Sequence, residues 1–130
     1  MGDRGQVRLK SRSLPDLYFY SHWGATDLPW VVAQGLERGK SRWGDDEYLN
    51  RIIFSEIIKN DVLGETGFGI GTILHGDVWK VVEIDHEKQT ARVLELEYPE
   101  DENEPPFWVE KVSAPFADFA SQVTEPVFSH

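Results

Sequence analysis

The hydrophobic period of the chain changes near residue 67, and this change limits the possible folds more than any other feature. Before it, two segments carry apolar residues at helical spacing. After it, three segments alternate apolar and polar residues in the manner of half-buried strands. The helical segments cover residues 28–36 and 49–57, and the strand segments cover residues 67–74, 78–84 and 90–96. Because strands and helices do not alternate, a doubly wound nucleotide-binding fold is not supported.

Both helices have recognisable ends. Thr26 or Asp27 is placed to cap the first helix, and Pro29 lies in its first turn, where the missing N–H costs nothing. Gly39 is expected to close this helix. The acidic pair at residues 45–46 suits the positive N-terminal end of the second helix.

Further strands flank these segments. Residues 6–10 and 17–22 are expected to form a hairpin with a turn at 13–16. Residues 107–109 predict a short strand, and a final short helix opens at residues 113–115. The order ββααβββ(β)α therefore predicts a single α+β domain over the 130 residues, with helices packed on one face of an antiparallel sheet of five or six strands.

Composition excludes several chemistries. The chain has no cysteine, so disulfides, thiolate catalysis and Cys-ligated zinc are ruled out. No stretch approaches the ~20 apolar residues of a membrane span, and no apolar signal segment follows the first residues. These features predict a cytoplasmic protein that has no membrane contact.

The net charge of −10 is unevenly distributed along the chain. Residues 1–59 hold 9 basic and 8 acidic side chains, whereas residues 60–130 hold 4 basic and 15 acidic ones. This asymmetry disfavours nucleic acid as a partner of the C-terminal half and suits a basic protein. The densest acidic run, residues 99–106, reads as an exposed loop, and its partner-binding candidates are Glu100, Asp101, Glu102 and Glu104.

A glycine-rich run at residues 64–72 resembles a phosphate-binding loop only superficially. It matches neither common phosphate motif, and it follows a helix and enters a strand, which is the reverse of the order that phosphate binding requires. Gly67, Gly69 and Gly71 stand at period two. They are therefore expected to give the strand a bare side, beneath the helices, that a helix or an aromatic ring approaches closely.

His22 is the weak candidate for catalysis. It ends a tyrosine-rich strand, and because imidazole in general titrates near neutral pH, this side chain could act as a general base oriented by Asp27, Asp45 or Asp46. The alternative is a structural histidine beside Trp23. Because Ser21 alternates onto the other face of the strand, a serine–histidine pair is disfavoured.

Basic side chains beside tryptophan suggest a second kind of site. Arginine can bind a phosphate and tryptophan can stack on a base, although solvated surface charge is the commoner reason for such clusters. The histidines lack the spacing of metal ligands, so neither a metal nor a cofactor is predicted. The candidate ligand-binding residues are Arg4, His22, Trp23, Arg42, Trp43 and Glu65.

Three sequence elements carry a resemblance. The opening M-G-D-R, the element YSHWG at residues 20–24 and the run GETGFGI at residues 64–70 are similar to a group of small, uncharacterised proteins of bacteriophages and prokaryotic genomes. The resemblance covers residues 1–75. It implies an accessory gene of a phage or mobile element. Among such genes, small acidic products are frequently inhibitors or decoys that bind a host protein. The resemblance implies no catalytic residue.

Two functions compete at this point. The leading hypothesis is a protein-binding module or inhibitor, without enzymatic activity, whose acidic C-terminal half binds a basic host protein. The alternative is a binder of nucleotides or other anionic small molecules, or a small hydrolase, with a site around His22, Trp23, Arg42 and Glu65. Residues 107–108 and 127–128 either cover the core or contact a second subunit of a homodimer.

Overall fold

The computed structural model describes residues 2–12 and 15–126, so parts of the predicted 13–16 turn and the predicted 127–128 contact lie outside the described residues. The described chain contains six strands and three α-helices in the order ββααββββα, which confirms the predicted α+β class. The strands are β1 Gly5–Lys10, β2 Leu17–Ser21, β3 Phe68–Gly71, β4 Lys80–Asp85, β5 Thr90–Glu97 and β6 Phe107–Pro115. The helices are α1 Leu28–Arg38, α2 Asp46–Ile58 and α3 Phe116–Gln122.

The strands form one sheet in the order β3-β2-β1-β4-β5-β6. Four of its pairings are antiparallel, as predicted, but β1 and β4 are parallel, with Val7 opposite Val82 and Leu9 opposite Ile84. The prediction of an antiparallel sheet was therefore wrong at its centre, and the sheet is mixed. The cause is the connection: β3 pairs on the far side of β2, so the chain must cross the sheet before β4 can pair with the free side of β1.

All three helices pack on one face of the sheet, as predicted. Alternation places Val7 and Leu9 of β1 on the same face as Phe19, Val82 and Ile84, and all five are buried. The helices bury their apolar residues against this layer. The helical part of the core consists of Leu28, Val32, Ala33, Leu36, Leu49, Ile53, Phe116 and Phe119.

The predicted helix ends are confirmed in part. Pro29 lies in the first turn of α1, Gly39 is its C-cap, and the Asp45 side chain caps α2 by accepting the Tyr48 N–H at 3.2 Å. Asp27 precedes α1 as its N-cap residue but makes no capping hydrogen bond, because a short 3₁₀ turn leads into the helix instead.

Two strand predictions had the wrong length. β3 covers only Phe68–Gly71, because the residues after it leave the edge to form the crossing connection. The Gln6 side chain binds that connection on the face opposite the helices: its amide donates to Ile73 O at 3.1 Å and its carbonyl accepts from His75 N at 2.7 Å. β6 runs to Pro115, since its whole length pairs with β5.

A buried polar network joins α2 to the turn after β4. His86 is fully buried, and its Nε2–H donates to Asn50 Oδ1 at 2.6 Å. Its Nδ1 lies 3.6 Å from Asp46 Oδ1, and neither atom has a hydrogen-bond partner among the described residues. Burial lowers the pKa of His86, and the Arg12 charge adds to this effect, although the carboxylates of Asp46 and Asp85 act in the opposite direction.

This network predicts a pH-dependent stability. Because the pKa of His86 is lower in the folded state than the ordinary 6.5, the unfolded state binds the proton more readily. Stability is therefore fully present above about pH 6.5 and falls as the pH falls below it, with a slope of at most about 1.4 kcal/mol per pH unit for this group. Urea unfolding at pH 5 to 8 measures the slope.

Two variants assign this slope to one side chain. His86→Gln should flatten it, whereas the same change at the exposed His75 should leave it as in the native chain. A native profile without any decrease below pH 6.5 contradicts the assignment.

Candidate functional site

His22 follows β2 and is the acceptor at the centre of a small polar cluster. Arg4 Nε donates to His22 Nδ1 at 3.3 Å, and the Tyr20 hydroxyl lies 3.1 Å from the same atom. An arginine Nε is always a donor, so His22 Nδ1 must be the acceptor. The ring therefore directs Nδ1 to Arg4 and Tyr20, and Nε2 is the ring nitrogen that remains for a ligand.

The cluster extends across the sheet face opposite the helices. The Tyr20 ring packs against His75 with ring centroids 4.9 Å apart, and the Trp23 ring meets His22 edge-on at 5.3 Å. Arg4 also forms an ion pair with Asp77 at 3.1 Å. The basic charge of this cluster is thus matched by a carboxylate.

None of the three carboxylates that were considered as partners of His22 forms a hydrogen bond or an ion pair with it among the described residues, and Asp27 stands just before α1. Asp45 caps α2, and Asp46 faces His86. The Ser21 hydroxyl donates to the carbonyl oxygen of Trp23, so the structure gives it no role as a nucleophile beside His22. Tyr20 is the hydroxyl-bearing side chain that contacts His22 among the described residues.

An open cleft of about 430 Å³ adjoins this cluster at the end of β3. Trp23 forms part of its wall and is 55% exposed. Aromatic residues and glycines make up most of its lining. Its lining residues are Tyr20, His22, Trp23, Thr66, Gly67, Phe68 and Gly69.

The three period-two glycines have different roles. Gly67 has a φ of 97°, and a Cβ there would overlap the Trp23 ring, so the predicted close approach of an aromatic ring is confirmed at this position. At Gly69 and Gly71 a Cβ would meet nothing within 4 Å, so the packing interpretation was wrong there. Both lie on an edge strand and face away from the helices, on the same side as Tyr20.

The predicted ligand-binding residues lie in two separate regions of the structure. Arg4 and Trp23 lie with His22, and Glu65 is exposed in the loop before Gly67. Arg42 and Trp43 lie in the connection between α1 and α2, at a separate position. Trp43 is structural, because its Nε1–H donates to Leu36 O at 2.9 Å and its ring packs on Phe116, while the Arg42 guanidinium lies over the Tyr48 ring.

The predicted acidic loop joins β5 to β6 and is exposed from residue 100 to residue 106. Its hydrogen bonds within the described chain are local: the backbone N–H groups of Asn103 and Glu104 donate to Asp101. The four carboxylates considered for partner binding are therefore all presented to solvent: Glu100, Asp101, Glu102 and Glu104.

The sequence did not reveal a groove between α2 and the β2–β3 edge of the sheet. Its volume is about 540 Å³, and its walls are mainly apolar. Phe19 and Phe54 pack against each other at its base with ring centroids 4.7 Å apart. Leu17 and Ile70 extend the apolar surface, and the polar residues Asp16, Glu47, Asn50 and Arg51 also line the groove.

β3 forms the edge of the sheet beside this groove. His22 N donates to Gly67 O at 2.8 Å, and in an antiparallel ladder the bonded positions alternate. The backbone groups of Gly69 and Gly71 therefore point to β2, whereas those of Phe68 and Ile70 point outward. No strand pairs with this outer edge among residues 2–12 and 15–126.

Exposed apolar side chains concentrate in β3 and in the segments that flank it along the chain. Five of the nine large apolar residues that are exposed in the described chain lie between residues 62 and 74. Leu63 is 93% exposed and Ile73 66%. One signal was available in the sequence: Val62, Leu63 and Ile73 fit neither the helical stripe of α2 nor the alternation of the predicted 67–74 strand. The five are Val62, Leu63, Ile70, Ile73 and Leu74.

The opposite edge of the sheet is protected. β6 carries Lys111 and ends in Pro115, and its pairing with β5 shifts register between Val93 and Leu94. Charged residues, proline and bulges are the features by which proteins prevent edge-to-edge pairing. β3, with the sequence FGIG, has none of them and is protected only by its short length.

Comparisons with known proteins give no assignment. No protein-family model matches the chain, and neither the curated proteins nor the solved structures contain a significant match. None of the helices in the described chain has the length and apolar character needed to cross a membrane. Within the same residues, no group of three or more His, Asp or Glu side chains is arranged to hold a metal ion.

Gly67, just before β3, and Gly69, within it, give a paired prediction. Gly67→Ala should lower the free energy of unfolding by about 2 kcal/mol, because it combines a strained φ with a clash against Trp23. Gly69→Ala should change it by less than about 0.5 kcal/mol, because the added methyl enters open space. Urea denaturation measures both. Equal costs at the two positions would contradict the different roles given to them.

Proposed function

We propose that this chain is a protein-binding module that takes up an extended segment of a basic partner by strand addition at β3. The observation that carries the proposal is the outward direction of the Phe68 and Ile70 backbone groups beside an apolar groove. An added strand would satisfy those groups with main-chain hydrogen bonds, and its side chains would fill the groove. Backbone pairing would supply affinity, and the groove would supply selectivity.

The groove supports this mode of binding because of where it lies. Ile70 projects from β3 on the helix side, and Phe54 of α2 stands across from it at the same groove. A strand paired with β3 would place every second side chain on this side of the sheet. Apolar side chains there would bury the 59% of Ile70 that is now exposed.

The negative charge of the chain favours a basic segment as the partner. Residues 60–130 carry 15 acidic and 4 basic side chains, and Asp61 and Glu65 are exposed in the loop just before β3. A second copy of the chain would bring another net charge of −10 against this surface and is therefore disfavoured. A basic segment is attracted to it, and the exposed acidic loop would add longer-range attraction.

The wider setting follows the sequence resemblance. A phage or mobile-element product of this kind would act by occupying a segment of a host protein, without chemistry of its own. The competing anionic-ligand site has less support, because Arg42 and Trp43 lie apart from His22 and the Arg4 charge is paired with Asp77.

Selection from a library of random 12-residue peptides displayed on phage tests the proposal. We expect the folded chain to enrich peptides that alternate apolar residues and carry net positive charge. Ile70→Pro should weaken binding of the enriched peptides at least about tenfold, because it removes an outward N–H and obstructs the edge. Since that N–H lies on the solvent side, the ladder with β2 stays intact.

A control variant and a folding check show whether weaker peptide binding by Ile70→Pro is due to the β3 edge. Lys111→Pro places the same residue type in the strand at the opposite edge and should leave peptide binding unchanged. Circular dichroism and urea unfolding verify that both variants fold. Failure to enrich any peptide, or equal binding by the folded Ile70→Pro protein, counts against strand addition.

A further inference from the structure

We infer that the glycine side of β3 is a subsite for an arginine or lysine side chain of the incoming strand. The inference rests on the proposed function and specifies the partner further. It concerns the 430 Å³ cleft beside His22, which lies on the other face of the sheet from the groove. The partner would therefore be recognised on both faces of the same edge.

The geometry of the edge places the two subsites in alternation. Phe68 and Ile70 direct their side chains to the helix face, and Gly69 lies on the opposite face beside Tyr20. An added strand has the same period of two, so a residue that enters the groove is followed by one that faces the cleft. The groove and the cleft would therefore bind neighbouring residues of a single segment.

The fold does not require the glycine that lines the cleft, Gly69, or the next one on the same face of β3, Gly71. Gly69 and Gly71 do not have positive φ, and a Cβ at either position would meet nothing within 4 Å. Neither backbone strain nor internal packing therefore requires glycine here. The consequence is an open strip next to Tyr20, across which a long side chain of a paired strand can lie.

The walls of the cleft favour a cation. Tyr20 and the half-exposed Trp23 offer aromatic faces, which attract an ammonium or guanidinium group. Arg4, the cation of the cluster among the described residues, is already paired with Asp77, and Glu65 is exposed in the adjoining loop. An aliphatic stem over the glycines with its charged end at the rings uses both properties of lysine or arginine.

A recognition pattern follows from these two faces. The bound segment would alternate apolar residues, which face α2, with basic residues, which face the cleft. An acidic residue at the cleft position would meet no unpaired cation in the part of the chain that the structure describes, and the net charge of the chain would repel it. A peptide with the same composition but with its apolar and basic residues in separate blocks could not fill both subsites.

Four peptides of equal length test the inference on the intact chain. They are an alternating valine–arginine peptide, its block rearrangement, and alternating valine–serine and valine–glutamate peptides. Anisotropy titration should give the valine–arginine peptide a Kd about tenfold below those of the block and valine–serine peptides, and the valine–glutamate peptide should bind most weakly. The block peptide separates pattern from charge, because its net charge is identical.

A charge placed on the cleft floor provides the matched variant. Gly69→Lys should abolish the preference for arginine over serine while the valine–serine peptide still binds, since the methylene stem enters open space. Ser113→Lys puts the same charge on the same face at the opposite edge and should preserve the preference.

The outcomes separate the two proposals. Equal affinity for the valine–arginine and valine–serine peptides, both above that of the block peptide, overturns the basic subsite and leaves strand addition standing. Equal affinity for the alternating and block arginine peptides shows attraction by charge alone and overturns the subsite. Absence of binding by all four peptides overturns strand addition and the subsite together.

Discussion

The parallel pairing of β1 with β4 is the interaction on which the rest of this structure depends. Val7 and Leu9 stand opposite Val82 and Ile84, and all four side chains are fully excluded from solvent. At roughly 1.5–3 kcal/mol for each such side chain, this pair of strands is the centre of the core over which the helices pack. It also fixes which strands lie at the edges, because β2 and β3 must then extend one side of the sheet and β5 and β6 the other.

The order of the sheet explains where a partner can bind. Residues 11–79 separate the two central strands, and β3 occurs late in this connection, as a short addition beyond β2. The chain then leaves β3 to cross the sheet, so its outer edge stays open in the described structure. The other edge is protected against pairing with a further strand, because β6 carries a charged residue, a proline and a shift of register. The open edge and the apolar groove thus occur together with the exposed carboxylates Asp61 and Glu65 of the loop before β3.

The hydrophobic period and the capping residues were sufficient to predict the fold class, the order of the helices and strands, and most helix ends. They could not predict the orientation of β4, because alternation along a strand reports burial and carries no information about which neighbour it pairs with. The glycines show the same limit. Their spacing correctly implied a bare side, and Trp23 does cover Gly67, but only the topology reveals that Gly69 and Gly71 lie on an edge with empty space above them.

The candidate site was predictable only where its residues are near in sequence. Tyr20, His22 and Trp23 lie within four residues at the end of β2, whereas the contact of Arg4 with His22 depends on the pairing of β1 and β2. Trp43 and Arg42 look equally suited to a ligand in the sequence. Their roles in packing become visible only when α3 brings Phe116 against the Trp43 ring. The groove itself joins α2 to β3 and has no signature within either segment.

Amide hydrogen exchange along β3, measured by NMR in the free protein, tests the central claim most directly. If the edge is open, the amides of Phe68 and Ile70 exchange rapidly, while those of Gly69 and Gly71, which donate to β2, are protected. Uniform protection of all four amides would mean that another strand already covers the edge. That result would contradict the account.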